Sequence, residues 1–106
     1  MTDEAGTVEL RDDGRGATLH GELDLASYDA MSNSLAPLFD VAGNVVLDLA
    51  DVTFIDSSAI RLFVRLQEAR DGTGVVQLRG PQPHVARVLE VAGVTDLGIE
   101  MSGADG

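Results

Sequence analysis

Asp56-Ser57-Ser58 places a carboxylate and two hydroxyls directly ahead of Ala59, Leu62, Phe63 and Leu66, an apolar repeat of helical spacing. A helix starting here presents unpaired N–H groups and partial positive charge at its first turn. A serine hydroxyl at that point is placed to accept a phosphate whose oxygens the helix end would hold. Asp and Ser are also the preferred N-cap residues, so the same triplet serves equally well merely to start a helix. Arg61 follows Ser57 by four residues and falls on the same helix face, where it would pair with a phosphate on Ser57 or stand solvated near Arg65 and Glu68.

Other chemistry is thinly represented. His20 and His84 are the only histidines, and neither sits in a motif that would activate a serine; there is no Gly-x-Ser-x-Gly elbow. Enzyme activity is therefore not expected. Asp48, Asp51 and Asp56 cluster around the end of an apolar strand and supply oxygens of the kind Mg²⁺ uses. Aspartates there equally form turns and caps, and a receiver-type acidic site also needs a lysine, which the chain lacks. No metal or cofactor is assigned.

Composition narrows the classes further. The 106 residues fit one domain. Seven arginines and no lysine stand against 18 acidic residues, a formal charge of −11, which argues against binding a phosphate backbone. Without cysteine there is no disulfide, thiol nucleophile or thiolate metal site. Aromatic residues are only 4%, so aliphatic side chains must build the core. No apolar run approaches the ~20 residues of a membrane span, and Met1 to Thr7 is polar and acidic, unlike a signal peptide. The expectation is a soluble cytoplasmic domain over residues 1–101, with 102–106 a frayed polar tail.

The elements that must position Ser57 read as follows. Thr7–Leu10 and Ala17–Leu23 alternate like strands around a glycine-bearing loop, a hairpin. Tyr28, Met31, Leu35 and Leu38 form a helical stripe between Ala26 and Val41, with Asp24 or Ser27 as its cap. Pro37 predicts a kink or a tightened last turn. Asn44–Leu49 reads as a strand covered on both faces, and Ala50–Ile55 as a loop leading to Asp56. The Ser57 helix runs to about Arg70, Asp71-Gly72-Thr73-Gly74 stops it, and Val75–Arg79 is the next strand. Pro83 opens a helix with the stripe Val85, Val88, Leu89 and Ala92, ended by Gly93. Asp96-Leu97-Gly98-Ile99 suggests a short last strand. The order ββαβαβα(β) predicts an α/β fold, a mixed sheet carrying helices with right-handed crossovers.

Three segments in this order resemble the STAS domain of anti-sigma factor antagonists: Gly21-Glu22-Leu23-Asp24, Val46-Leu47-Asp48-Leu49, and Val52-Thr53-Phe54-Ile55-Asp56-Ser57-Ser58. The similarity continues into Pro83-His84-Val85-Ala86-Arg87-Val88-Leu89 and covers nearly the whole chain. The resemblance implies a STAS-type fold without catalytic activity. It implies that Ser57, with Ser58 the alternative, is phosphorylated by an anti-sigma factor serine/threonine kinase. The unmodified form would bind that kinase and free sigma factor; a metal-dependent serine phosphatase would reset the modified form. Glu22, Asp24, Asp56, Ser57, Ser58, Ala59 and Arg61 are the implied partner surface. Where members of the family usually have Gly-Leu-Gly, this chain has Ala59-Ile60-Arg61, whose Ala59 methyl would limit a close approach of the kinase backbone. Many members also carry a last helix for which the end of this chain shows no pattern. The alternative is a STAS subunit that is not phosphorylated, a ligand-sensing or scaffold part of a transport or signalling complex.

Overall fold

The computed structural model describes residues 6–103. Five strands, β1 (Thr7–Leu10), β2 (Gly16–Leu23), β3 (Val45–Ile55), β4 (Val76–Arg79) and β5 (Glu100–Ser102), lie in sequential order across one sheet. β1 is antiparallel to β2, and the remaining pairs are parallel. The parallel pairs are joined by α1 (Tyr28–Phe39), α2 (Ser57–Glu68) and α3 (Pro83–Ala92). Right-handed crossovers that all step the same way put every helix on one face of the sheet. Burial agrees. Ala17, Leu19, Leu23, Val45, Leu47, Leu49, Val76 and Leu78 are buried, whereas Thr18, His20, Glu22, Val46, Asp48 and Gln77 alternate with them and are only half-buried. The expectation that β3 is covered on both faces is therefore corrected: Val46 and Asp48 sit on an open face.

The strand is also longer than its pattern suggests. Ala50–Ile55, expected as a loop, is strand. Thr18 of β2 stands beside Asp48, His20 beside Asp51, Gly21 beside Val52 and Glu22 beside Phe54, so β3 gains an extra residue at two places. These are β-bulges, and each resets the alternation. After Leu49 the buried residues are Val52 and Ile55, three apart instead of two. The Asp48 carboxylate accepts from Ala50 N at 3.0 Å, which supports the first bulge. Opposite the bulged stretch Gly21 has φ of 80°, a conformation that costs a residue with a Cβ about 1–2 kcal/mol. Two carbonyls of this stretch are taken by the start of α3: Gln82 Nε2 donates to Ala50 O at 3.1 Å and His84 Nε2 to Thr53 O at 2.7 Å.

The helices bury narrow aliphatic stripes: Met31, Leu35 and Leu38 from α1, and Ala59, Leu62, Phe63 and Leu66 from α2. On α3 only Val85 and Leu89 are buried; Val88 and Ala92, expected in the stripe, face outward. Asp24 caps a 3-10 turn (Leu25–Ser27) that leads into α1, so the capping role falls to it and not to Ser27, which makes no side-chain cap bond to α1. Around Pro37 the last turn is tightened, with Asp40 N donating to Pro37 O and Val41 N to Leu38 O. Asp96-Leu97 lies in a second 3-10 turn (Val94–Leu97) that ends at Gly98, φ 95°, and the last strand comes only after it. β5 includes Ser102, the first residue of the expected tail, whose residues 104–106 lie outside the described residues.

Arg70, just past α2, is the largest fully buried side chain, at 1% exposure. Its guanidinium meets carbonyls instead of a carboxylate. Nη2 donates to Leu38 O at 2.5 Å, Nη1 to Gly43 O at 3.1 Å and to Val41 O, and Nε to Leu66 O at 3.2 Å. Burial, and secondarily the charge of Arg15, pulls its pKa below the ordinary arginine value. The cation closes the C-terminal end of α1, where carbonyls lack helical partners and partial negative charge collects. Arg70→Leu should cost about 3 kcal/mol, because it strips buried carbonyls of their donor; urea unfolding at unchanged m-value measures it. Gly21→Ala should cost about 1–2 kcal/mol in the same assay, for the φ stated above.

Candidate functional site

β2 and β3 run parallel, so their carboxyl ends emerge side by side, and the chain leaves them into the Leu25–Ser27 turn and into α2. Asp56 ties the two exits together. Its backbone is extended, φ −125°, and its N–H donates to Leu23 O at 3.1 Å. Its Oδ1 accepts from Ser58 N at 2.9 Å, Ala59 N at 3.4 Å and Ser58 Oγ at 2.5 Å, while Oδ2 accepts from Leu25 N at 3.2 Å. Burial alone would raise the carboxyl pKa. The hydrogen bonds from Ser58 Oγ and from the Ser58, Ala59 and Leu25 amides outweigh burial and hold it below the usual aspartate value. Leu25 is itself fixed by the capping box around its turn, Ser27 N to Asp24 Oδ1 and Asp24 N to Ser27 Oγ, both at 3.1 Å.

The two serines are unlike each other. Ser58 is half-buried and its hydroxyl is committed to Asp56. Ser57, the first residue of α2, is exposed, and its hydroxyl has no hydrogen-bond partner among the described residues. Asp56 already occupies the amides of Ser58 and Ala59, which leaves the Ser57 amide as the one at the helix start without a partner among the described residues.

Arg61 and Arg65 continue along α2, both exposed and neither in a salt bridge among the described residues. With Leu25, Tyr28 and Ser58 they line an open pocket of about 250 Å³, and Arg65 Nη1 donates to Tyr28 Oη at 3.1 Å.

Of the residues expected at the site, Asp56, Ser57, Ser58 and Arg61 come together within the first turns of α2. The Asp24 loop is joined to them through Leu25, although the Asp24 carboxylate itself is engaged with Ser27. Glu22 stands beside Phe54 on β3. Ala59 is corrected: it is fully buried on the core face of α2, so its methyl meets the core and no partner. Neither histidine approaches Ser57 by hydrogen bond. His84 is bound to Thr53 O, and His20, on the open sheet face, lies 3.4 Å from Glu9 Oε1 and 3.3 Å from Asp51 Oδ2. Asp48, Asp51 and Asp56 are each engaged separately, and no group of three potential metal ligands occurs among the described residues.

Sequence reasoning missed Leu25 and Phe54, apolar yet 75% and 47% exposed, the first bonded to Asp56 through its amide and the second beside Glu22. A leucine immediately after the Gly-Glu-Leu-Asp stretch was the available signal for the first. The bulges of β3 concealed the second.

Comparison with known proteins agrees with this fold. A family model described as "Mlab, STAS domain" matches residues 6–100, and the chain belongs to the STAS domain family. No curated protein matches it. Among solved structures, the chain is similar in fold to the anti-sigma factor antagonist SpoIIAA in its unphosphorylated form. The TM-score is 0.70 at 17% identity, over 95% of this chain and 90% of that one. Among the described residues, no helix is long and apolar enough to cross a membrane.

Asp56→Ala should destabilise the protein by about 1–2 kcal/mol at neutral pH through loss of the cap. A depressed carboxyl pKa contributes stability above the ordinary aspartate value and loses it as pH falls through the folded-state value. The gap between wild type and variant should therefore narrow on acidification below that range, as denaturant curves at several pH values will show.

Proposed function

We propose that this STAS domain is an anti-sigma factor antagonist switched at Ser57. Unmodified, it binds an anti-sigma factor serine/threonine kinase and so releases sigma factor; phosphate on Ser57 ends that binding, and a metal-dependent serine phosphatase restores it. The domain acts in the cytoplasm by occupying its partner, without catalysis of its own and without nucleic acid or membrane. The observation that carries this reading is the contrast at the start of α2: an exposed, unbonded Ser57 hydroxyl beside a Ser58 hydroxyl held by Asp56. The fold shared with an antagonist described in its unphosphorylated form supports it. Phosphate adds about −1.5 to −2 charge at neutral pH. Placed beside Asp56, within a surface that includes Glu22, the Asp24 loop and Arg61, that charge need remove only ~1.4 kcal/mol of binding to cost tenfold in affinity.

A second reading, an unswitched STAS subunit of a transport or signalling complex, draws on the matching family model, whose description names Mlab and not an antagonist. Under it Ser57 only begins a helix. The two separate on one experiment. Incubation with ATP-Mg²⁺ and the anti-sigma kinases of the same genome should phosphorylate the protein at Ser57 and release it from the kinase. Mass spectrometry should find the phosphate lost in Ser57→Ala and retained in Ser58→Ala. No phosphate from any such kinase would leave the second reading in place.

A further inference from the structure

A phosphate on Ser57 would need a counter-charge, and most of the usual source at a helix start is already engaged. Of the first three amides of α2, those of Ser58 and Ala59 are bound by Asp56, and the Asp56 carboxylate adds like charge next to the modification. The nearest basic side chain along the helix is Arg61, one turn on. It is exposed and in no salt bridge among the described residues, in a chain of net charge −11. Helical side chains lean back over the preceding turn. Arg61 lines a pocket with Leu25, Tyr28, Ser58 and Arg65, and Ser57 lies one turn before it on the same helix face. Arg65, two turns from Ser57, is held toward α1 by Tyr28.

We infer that Arg61 is an internal receptor for the phosphate of phospho-Ser57, closing over it in the modified chain and leaving the pocket with one cation fewer to offer a partner. The inference rests on Ser57 being the modified residue, as proposed above. A guanidinium meets a phosphate dianion with paired, charge-assisted N–H donors, so part of the added negative charge is offset from within the domain and the fold persists.

The test uses the full chain with phosphoserine placed at position 57 during translation, so it needs no kinase. The phosphate is titrated by ³¹P NMR. Its second proton should leave at lower pH than in the Arg61→Gln chain, by a factor of about three or more in proton affinity, with Arg61→Lys retaining part of the difference and Arg65→Gln the whole of it. Unmodified Arg61→Gln should melt with the unmodified wild type, whereas the phosphorylated Arg61→Gln chain should melt below its phosphorylated parent. Equal titrations in wild type and Arg61→Gln, or an equal displacement by Arg65→Gln, would overturn the assignment to Arg61. Failure of every kinase in the preceding experiment would sink the switch and leave this titration untouched.

Discussion

Three crossovers of one hand, stepping in one direction across a sequentially ordered sheet, set the terms for everything else in this molecule. They collect the helices on one face and leave the other to solvent. The core is then a single layer between helices and sheet, and aliphatic side chains fill it with few aromatics. The same constraint makes β2 and β3 end together. The exits of parallel strands are where αβ proteins bring loops from different parts of the chain into one place, and here those exits are the Leu25 turn and the start of α2.

Asp56 turns that proximity into a fixed site. One carboxylate serves the helix amides, the Ser58 hydroxyl and the Leu25 amide of a separate loop. The helix start is thereby saturated with negative charge before any modification occurs. That distinguishes it from an open helix N-terminus, where vacant amides would welcome an anion. Here two of the first amides, those of Ser58 and Ala59, are filled, and the free hydroxyl of Ser57 stands outside them.

Much of this was legible in the residues. The α2 stripe and the βαβ order follow from spacing alone, because an amphipathic helix after a turn leaves a strong periodic trace; that Asp56 and not Ser57 is the cap did not. The far half of β3 did not, since two bulges shift its buried residues to a spacing of three and a strand then loses its pattern. Val88 read as core because spacing cannot tell which side of a short helix the sheet covers. The difference between Ser57 and Ser58 depends on which hydroxyl the cap carboxylate reaches, a matter of torsion angles that composition does not encode. Ala59 read as surface for a similar reason: it sits beside the exposed serine in sequence, but a helix turns 100° between neighbours.

Arg70 has a dynamic counterpart. One guanidinium holds Leu38, Val41 and Gly43 at the end of α1 while also bonding Leu66 within α2. If α2 unwinds from that end, α1 loses its donor; if α1 does, the buried guanidinium loses acceptors, so the two C-terminal ends are coupled. The opposite end of α2 is fastened by the Asp56 carboxylate and takes no part in this coupling. The two ends of α2 are thus held by unlike devices, a buried cation at one and a carboxylate shared with a neighbouring loop at the other.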